Sequence, residues 1–237
     1  MSIFSGAASL RLPKKTATAR WWPQDCVLCL APACDAVCAP CEAALPWLGH
    51  ACAVCALPLA ADGTCGACAV HPPAFDASLA CFEYRFPVDR LVQRFKFAGD
   101  LATGRWLAAC MSRRMRGAQA DLVVVPPLAR PRLRQRGFNQ ALELARPVAR
   151  SLGIGCAASA LVRVRETQPQ PGLHRDERAR NLRDAFRCDA RVQGLHVAVV
   201  DDVVTTGATG QEIARVLKQA GATRVSLWAL ARTPAPG

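Results

Sequence analysis

Nine of the thirteen cysteines fall between Cys26 and Cys68, and eight of these form four Cys-x-x-Cys pairs: Cys26/Cys29, Cys38/Cys41, Cys52/Cys55 and Cys65/Cys68. Two thiolates at that spacing reach one ion from a tight turn, and Zn²⁺ takes four soft ligands in a tetrahedron at about 2.3 Å. Two pairs per ion give two sites. Eight residues separate the first two pairs and nine the last two, so each half should be a compact hairpin. Pairing across the halves stays open, and Cys34 is a ninth thiol able to replace a member of the first site. A region this short and Ala-rich buries little core, so metal must supply its folding free energy. Structural zinc is expected rather than disulfides or an iron–sulfur cluster. Crowding the cysteines at one end also excludes a disulfide scaffold spread over all 237 residues.

Residues 1–25 read as a disordered tail without the basic start and apolar run of an export signal. No apolar run approaches the 18 or so residues of a membrane span, so an integral membrane protein is excluded. A reducing, cytoplasmic setting fits clustered metal-binding thiols. The cysteine-rich domain is placed at 26–70, and His71-Pro72-Pro73 reads as a linker. From 74 to 232 the pattern alternates. Strands are expected at 79–84, 121–125, 196–200 and 224–231. Helices are expected at 88–98, 101–115, 139–152 (with Pro147 kinking or restarting it) and 209–221. Residues 163–187 read as a long loop or mobile flap, and 233–237 as a loose tail. Near-continuous apolar strands alternating with helices imply an α/β, Rossmann-like parallel sheet covered on both faces.

The charge is as uneven as the cysteine. Residues 1–70 are balanced, and the net +12 sits in the rest of the chain. Residues 128–187 alone hold thirteen arginines and five acids. Only four lysines occur, and Arg forks suit phosphate oxygens, so a polyanionic partner or substrate is expected. Against this bias, VAVVDDVVTTGAT at 197–209 combines a buried strand, adjacent carboxylates and a Thr-Thr-Gly turn opening a helix. The N–H groups and hydroxyls of Thr205, Thr206, Gly207, Ala208 and Thr209, with the helix N-terminus, can surround an anion. Asp201 and Asp202 suit sugar hydroxyls or a Mg²⁺ shared with the ligand. The ligand that needs both is a ribose phosphate.

This segment resembles the phosphoribosyl pyrophosphate (PRPP) motif of type I phosphoribosyltransferases. The paired cysteines, VVVPPL, Arg136-Gly137-Phe138-Asn139-Gln140, Arg178-Ala179-Arg180-Asn181 and FKFAGD at 95–100 narrow the likeness to the competence protein F (ComF) family, over residues 26–232. Pro127 stands where that family's turn carries Val. The resemblance implies that Asp201, Asp202 and Val203 bind the ribose side of PRPP, with its Mg²⁺, and that Thr205–Thr209 bind the 5′-phosphate. Read from the residues alone, the turn Pro126, Pro127 and Leu128 at a strand's carboxyl end, with Arg136 beyond it, can receive the pyrophosphate, and Arg175, Arg178 and Asn181 lie in the flap. Asp201, Asp202 and Arg136 are the expected catalytic residues. Lys96 either reaches the site or snorkels at the surface. The resemblance implies a role in natural transformation, with single-stranded DNA and other competence proteins, such as a DNA-translocating helicase, as partners at the cytoplasmic side of the inner membrane. A non-catalytic DNA-binding protein and a PRPP-sensing regulator are the alternatives.

Overall fold

The computed structural model describes residues 24–165, 182–189 and 191–235. Its centre is a five-stranded, all-parallel sheet formed by β3 (Ala77–Glu83), β4 (Leu122–Val124), β5 (Gly155–Ala157), β8 (His196–Val204) and β9 (Arg224–Arg232). The strand order is β3-β9-β8-β4-β5. Val123, Val124, Val197, Ala198, Val200 and Trp228 are all at most 1% exposed. That matches a sheet covered on both faces, and the sequence expectation of an α/β parallel sheet holds.

One layer consists of α3 (Val88–Phe97), α4 (Leu101–Arg114) and α6 (Gln140–Leu152). Their apolar sides close the larger core through Leu91, Phe95, Leu107, Met111, Leu144 and Val148. α7 (Ala208–Gln219) covers the opposite face through Ile213 and Leu217. α6 runs continuously through Pro147, where a kink or a restart was expected, so the helix does not restart there. The buried row Leu144, Ala145, Val148 and Ala149 holds the helix against α4 and the sheet, and packing outweighs one lost backbone bond.

The segment expected to be a loop over 163–187 is partly built. β6 (Leu161–Arg163) and β7 (Phe186–Cys188) pair antiparallel at its base. Residues 166–181, which include the flap candidates Arg175, Arg178 and Asn181, lie outside the described residues. So do residues 1–23. Gln24 and Asp25, expected in the N-terminal tail, form β1 and pair with β2 (Pro32–Ala33). Thr233, expected in the C-terminal tail, is tied to the Val204 carbonyl through its N–H and hydroxyl.

The cysteine-rich head is two copies of one device. In the first, Leu30 N–H donates to the Cys26 carbonyl and Cys38 opens α1 (Ala39–Ala43). In the second, Ala56 N–H donates to the Cys52 carbonyl and Cys65 opens α2 (Gly66–Val70). Leu30 and Ala56 both adopt positive φ, 62° and 55°, which closes each knuckle. The head does not hang from a linker. Residues 46–53 lie along the free edge of β3: Leu48 N–H donates to Cys81, Glu83 N–H to Pro46 and Ser78 N–H to Ala53. The Trp47 and Phe82 rings meet with centroids 4.3 Å apart. An edge strand is thereby covered instead of left open to pairing with other chains.

Candidate functional site

The sheet's carboxyl end at β8 brings together residues distant in sequence. β8 continues to Val204, four residues beyond the expected stop, so the acid pair lies inside the strand, with Asp201 in register with Ala229. The alternation of a strand sets Asp202 on the face of Ala198 and Val200, which the α3 layer covers. Asp202 is only 4% exposed. Its Oδ1 accepts from its neighbour's Val203 N–H at 2.6 Å and pairs with Lys96 Nζ at 2.9 Å. Among the described residues its Oδ2 is buried without a hydrogen-bond partner, as is Arg136 Nε. Such orphans in a low-dielectric setting are costly unless a ligand completes them.

Lys96 therefore turns inward, and the surface alternative falls. The next residue, Phe97, is exposed and carries the Arg136 guanidinium 5.0 Å over its ring. Burial lowers the Arg136 pKa, and the charge of Asp202 works against that shift. Asp201 has a different environment. Its Oδ1 accepts the Asp202 N–H at 2.8 Å. Burial, then the Asp202 charge, push its carboxyl up to about 7, against the pull of Lys96.

The loop after β8 turns at Gly207, whose φ of 79° is the left-handed conformation that glycine tolerates. Thr206 Oγ1 accepts the Ala208 N–H at 3.4 Å. Thr205–Gly207 lead into α7, with Ala208 and Thr209 in its first turn, where N–H groups lack intrahelical partners and the helix dipole is positive. Gly210, which sequence reading missed, sets how near α7 lies to the sheet. A Cβ there would stand 2.4 Å from Leu227 Cδ1. Its only sequence signal was a second glycine three residues after Gly207.

On the neighbouring strand, Pro126, Pro127 and Leu128 follow β4, as expected. Asn139 braces this turn, donating from Nδ2 to the Pro126 carbonyl at 3.0 Å and accepting the Ala141 N–H to cap α6. The arginine run is a helix, α5 (Arg130–Arg136), closed by Gly137 in the left-handed region. A cleft of about 420 Å³ opens beside it, lined by Pro127, Leu128, Arg130, Leu161 and Arg163 among others. The acid pair does not line it. Phe138 packs against the larger core and Phe186 lies in the smaller one.

The cysteines form two groups within the halves, Cys26/Cys29/Cys38/Cys41 and Cys52/Cys55/Cys65/Cys68, each with its sulfurs within 4.8 Å of one another. A tetrahedron with 2.3 Å bonds has edges of about 3.8 Å. The Cys29–Cys38 and Cys55–Cys65 sulfurs lie 3.6 Å and 3.7 Å apart. The donor set and spacing thus suit Zn²⁺. Cys34 is exposed and belongs to neither group. In each group burial opposes a thiolate at the first cysteine, but N–H donors prevail. Those of Cys38, Cys29 and Leu28 hold Cys26 at about 6, and those of Cys65, Cys55 and Val54 hold Cys52 at about 7. A soft cation meets one ready thiolate in each.

The phosphoribosyl transferase domain family matches residues 139–236, which include the β8 acids and the whole β8–α7 loop. The chain is 38% identical over 222 residues to the DNA utilization protein YhgH of Salmonella typhimurium, covering 89% of this chain and 98% of that one. It is 33% identical over 178 residues to competence protein F of Haemophilus influenzae, covering 71% and 78%. The chain belongs to the ComF family. This ComF protein combines a phosphoribosyltransferase-type parallel sheet with a head whose cysteine groups are those of a double zinc ribbon. Adenine phosphoribosyltransferase of Thermoanaerobacter pseudethanolicus overlaps 57% of this chain and 72% of its own at 19% identity and a TM-score of 0.38. No helix among the described residues of the ComF chain is long and apolar enough to cross a membrane.

Proposed function

We propose that this ComF protein binds PRPP at the β8–α7 loop and transfers its phosphoribosyl group to an acceptor during the use of imported DNA. One observation carries this reading: a buried carboxylate, Asp202, with an oxygen unpartnered among the described residues, three residues before a Thr-Thr-Gly loop that opens a helix. Thr205–Thr209 take the 5′-phosphate through N–H groups and hydroxyls. Asp201 and Asp202 accept from the ribose hydroxyls, with Val203 beside them. Arg136, with Pro126, Pro127 and Leu128, faces the departing pyrophosphate. The Asp202 charge then favours positive charge developing at the anomeric carbon. Asp201 and Asp202 are the residues that would hold Mg²⁺ with PRPP, and the ion would offset pyrophosphate charge as it leaves. Arg175, Arg178 and Asn181 are proposed to shield the site from water.

The head, residues 26–70, is proposed to fold around two structural zinc ions, and residues 74–232 to form the transferase unit. The names of the relatives, DNA utilization and competence, support a role in DNA uptake; a cytoplasmic setting, with single-stranded DNA and a translocating helicase at the inner membrane as partners, is part of the proposal. The thirteen arginines of 128–187 favour a second activity on the same scaffold, salt-sensitive DNA binding. Pyrophosphate release from PRPP, measured across bases and single-stranded DNA, tests the transferase. PRPP with Mg²⁺ should raise the melting temperature, and Asp201→Asn with Asp202→Asn should abolish the shift. A wild-type protein indifferent to PRPP refutes the reading.

A further inference from the structure

Arg232 ends β9 and is only 8% exposed, yet no carboxylate pairs with it among the described residues. Four carbonyls hold it instead. Nε donates to Cys55 at 3.0 Å. Nη1 donates to Val204 at 3.1 Å, to Thr205, and to Thr233 at 2.7 Å. One guanidinium thus spans the second cysteine knuckle and the first residues of the β8–α7 loop. The planar fork can serve several carbonyls at fixed angles, which a lysine cannot. Its charge lies against the Val204 and Thr205 carbonyls, where it also favours an anion on the loop.

Other contacts run the same way. Val54 and Cys55 pack against the cluster holding Phe75, Ile213 and Leu227. Phe75 stands 3.9 Å from where a Cβ on Gly207 would lie. Ala74 N–H donates to Gln211 Oε1 on α7 at 2.7 Å. Among the described residues the first cysteine group has no such link to the loop: its half packs into the core on the α3 and α4 side, where Glu42 pairs with Arg113. The two halves are alike in build and unlike in what they touch.

We propose that Arg232 is a positioning residue coupling the Cys52/Cys55/Cys65/Cys68 group to the β8–α7 loop. Metal in that group and phosphate on the loop then strengthen each other. The phosphate half rests on the function proposed above; the mechanical half does not. A closed knuckle fixes the Cys55 carbonyl, the carbonyl fixes the guanidinium, and the guanidinium fixes the Val204 and Thr205 carbonyls. Reciprocity requires that phosphate binding raise the affinity of that group for metal by the same factor.

The test is amide hydrogen exchange at residues 205–209 in zinc-loaded protein, before and after chelation, for wild type, Arg232→Met and Arg232→Lys. Hydrogen bonds from a charged donor are among the stronger ones, so chelation should speed exchange at the wild-type loop about ten-fold or more. In Arg232→Met exchange should already be fast and chelation should add little. Arg232→Lys should lie between. Residues 197–200 of the sheet core should stay protected throughout. Zinc partitioning to a competing chelator at equilibrium, with and without ribose 5-phosphate, reads the reciprocal effect: the sugar phosphate should raise the zinc retained by wild type and not by Arg232→Met. If chelation leaves wild-type loop exchange unchanged, or acts equally in Arg232→Met, the coupling is wrong. Should ribose 5-phosphate bind no variant while the exchange pattern holds, the phosphate reading fails and the coupling stands. Should Arg232→Met not fold, the wild-type chelation result alone decides.

Discussion

Asp201→Asn should make the ligand-free protein more stable, with a gain that depends on pH. The ordinary aspartate value is 3.8, and burial, with the Asp202 charge beside it, raises Asp201 to about 7 in the folded chain. Below about pH 4 both folded and unfolded chains carry the proton, and the wild type has no penalty. As pH rises from 4 to 7 the unfolded chain releases the proton while the folded chain retains it. Stability is lost across that window, and the loss is complete above pH 7. At 1.36 kcal/mol per pH unit the ceiling is about 4 kcal/mol. Partial solvent access to the side chain screens this to about half, or ~2 kcal/mol. Asparagine keeps an oxygen for the Asp202 N–H and carries no charge. Melting of both proteins by calorimetry from pH 4 to pH 8 is the assay. The two midpoints should coincide near pH 4 and separate by about 4–8 °C at pH 8, with the variant higher. Contributions from the cysteine groups are common to both and cancel. Parallel midpoints over the whole range, or a variant less stable at pH 8, would refute the idea that the fold is stressed at this acid.

Three further outcomes are expected. Lys96→Met strips the cation from a buried pair and should destabilise the protein by about 3 kcal/mol in urea unfolding; Asp202→Asn added to it should restore most of the loss, and independent effects would contradict the pair. Gly210→Ala places a methyl against Leu227, itself 3% exposed, and should cost about 1–3 kcal/mol in the same measurement while weakening any phosphate ligand; wild-type stability would show that α7 can move outward freely. Metal analysis should find two zinc ions per chain, and chelation should lower the melting temperature. Cys34→Ser should change neither result, and less than one zinc per chain would overturn the ribbon.

Much of the site was legible because its chemistry is local. The Asp201–Thr209 segment carries its acids, turn and helix start within nine consecutive residues, so strand-then-helix geometry alone sets their order. Each cysteine group likewise closes over fewer than twenty residues. What escaped was mostly long-range. Arg232 contacts Cys55 across 177 positions, and nothing in the run LWALAR distinguishes it from an ordinary strand end. Lys96 meets Asp202 across more than a hundred residues, and an amphipathic helix permits a lysine near its end either inside or out. Short β5, β6 and β7 carried no alternating pattern long enough to read.

The sequence by itself determined the two chemistries, thiolates in pairs and acids before a phosphate-type turn, because each needs particular side chains at short fixed spacings. It also determined the parallel sheet, because strands buried on both faces must be apolar almost throughout. Only the tertiary structure decided how these parts meet. It paired the cysteines within halves, laid the head along β3, turned Lys96 inward and ran Arg232 from the knuckle to the loop. Those contacts depend on which faces pack against which, and packing is settled by the whole core at once.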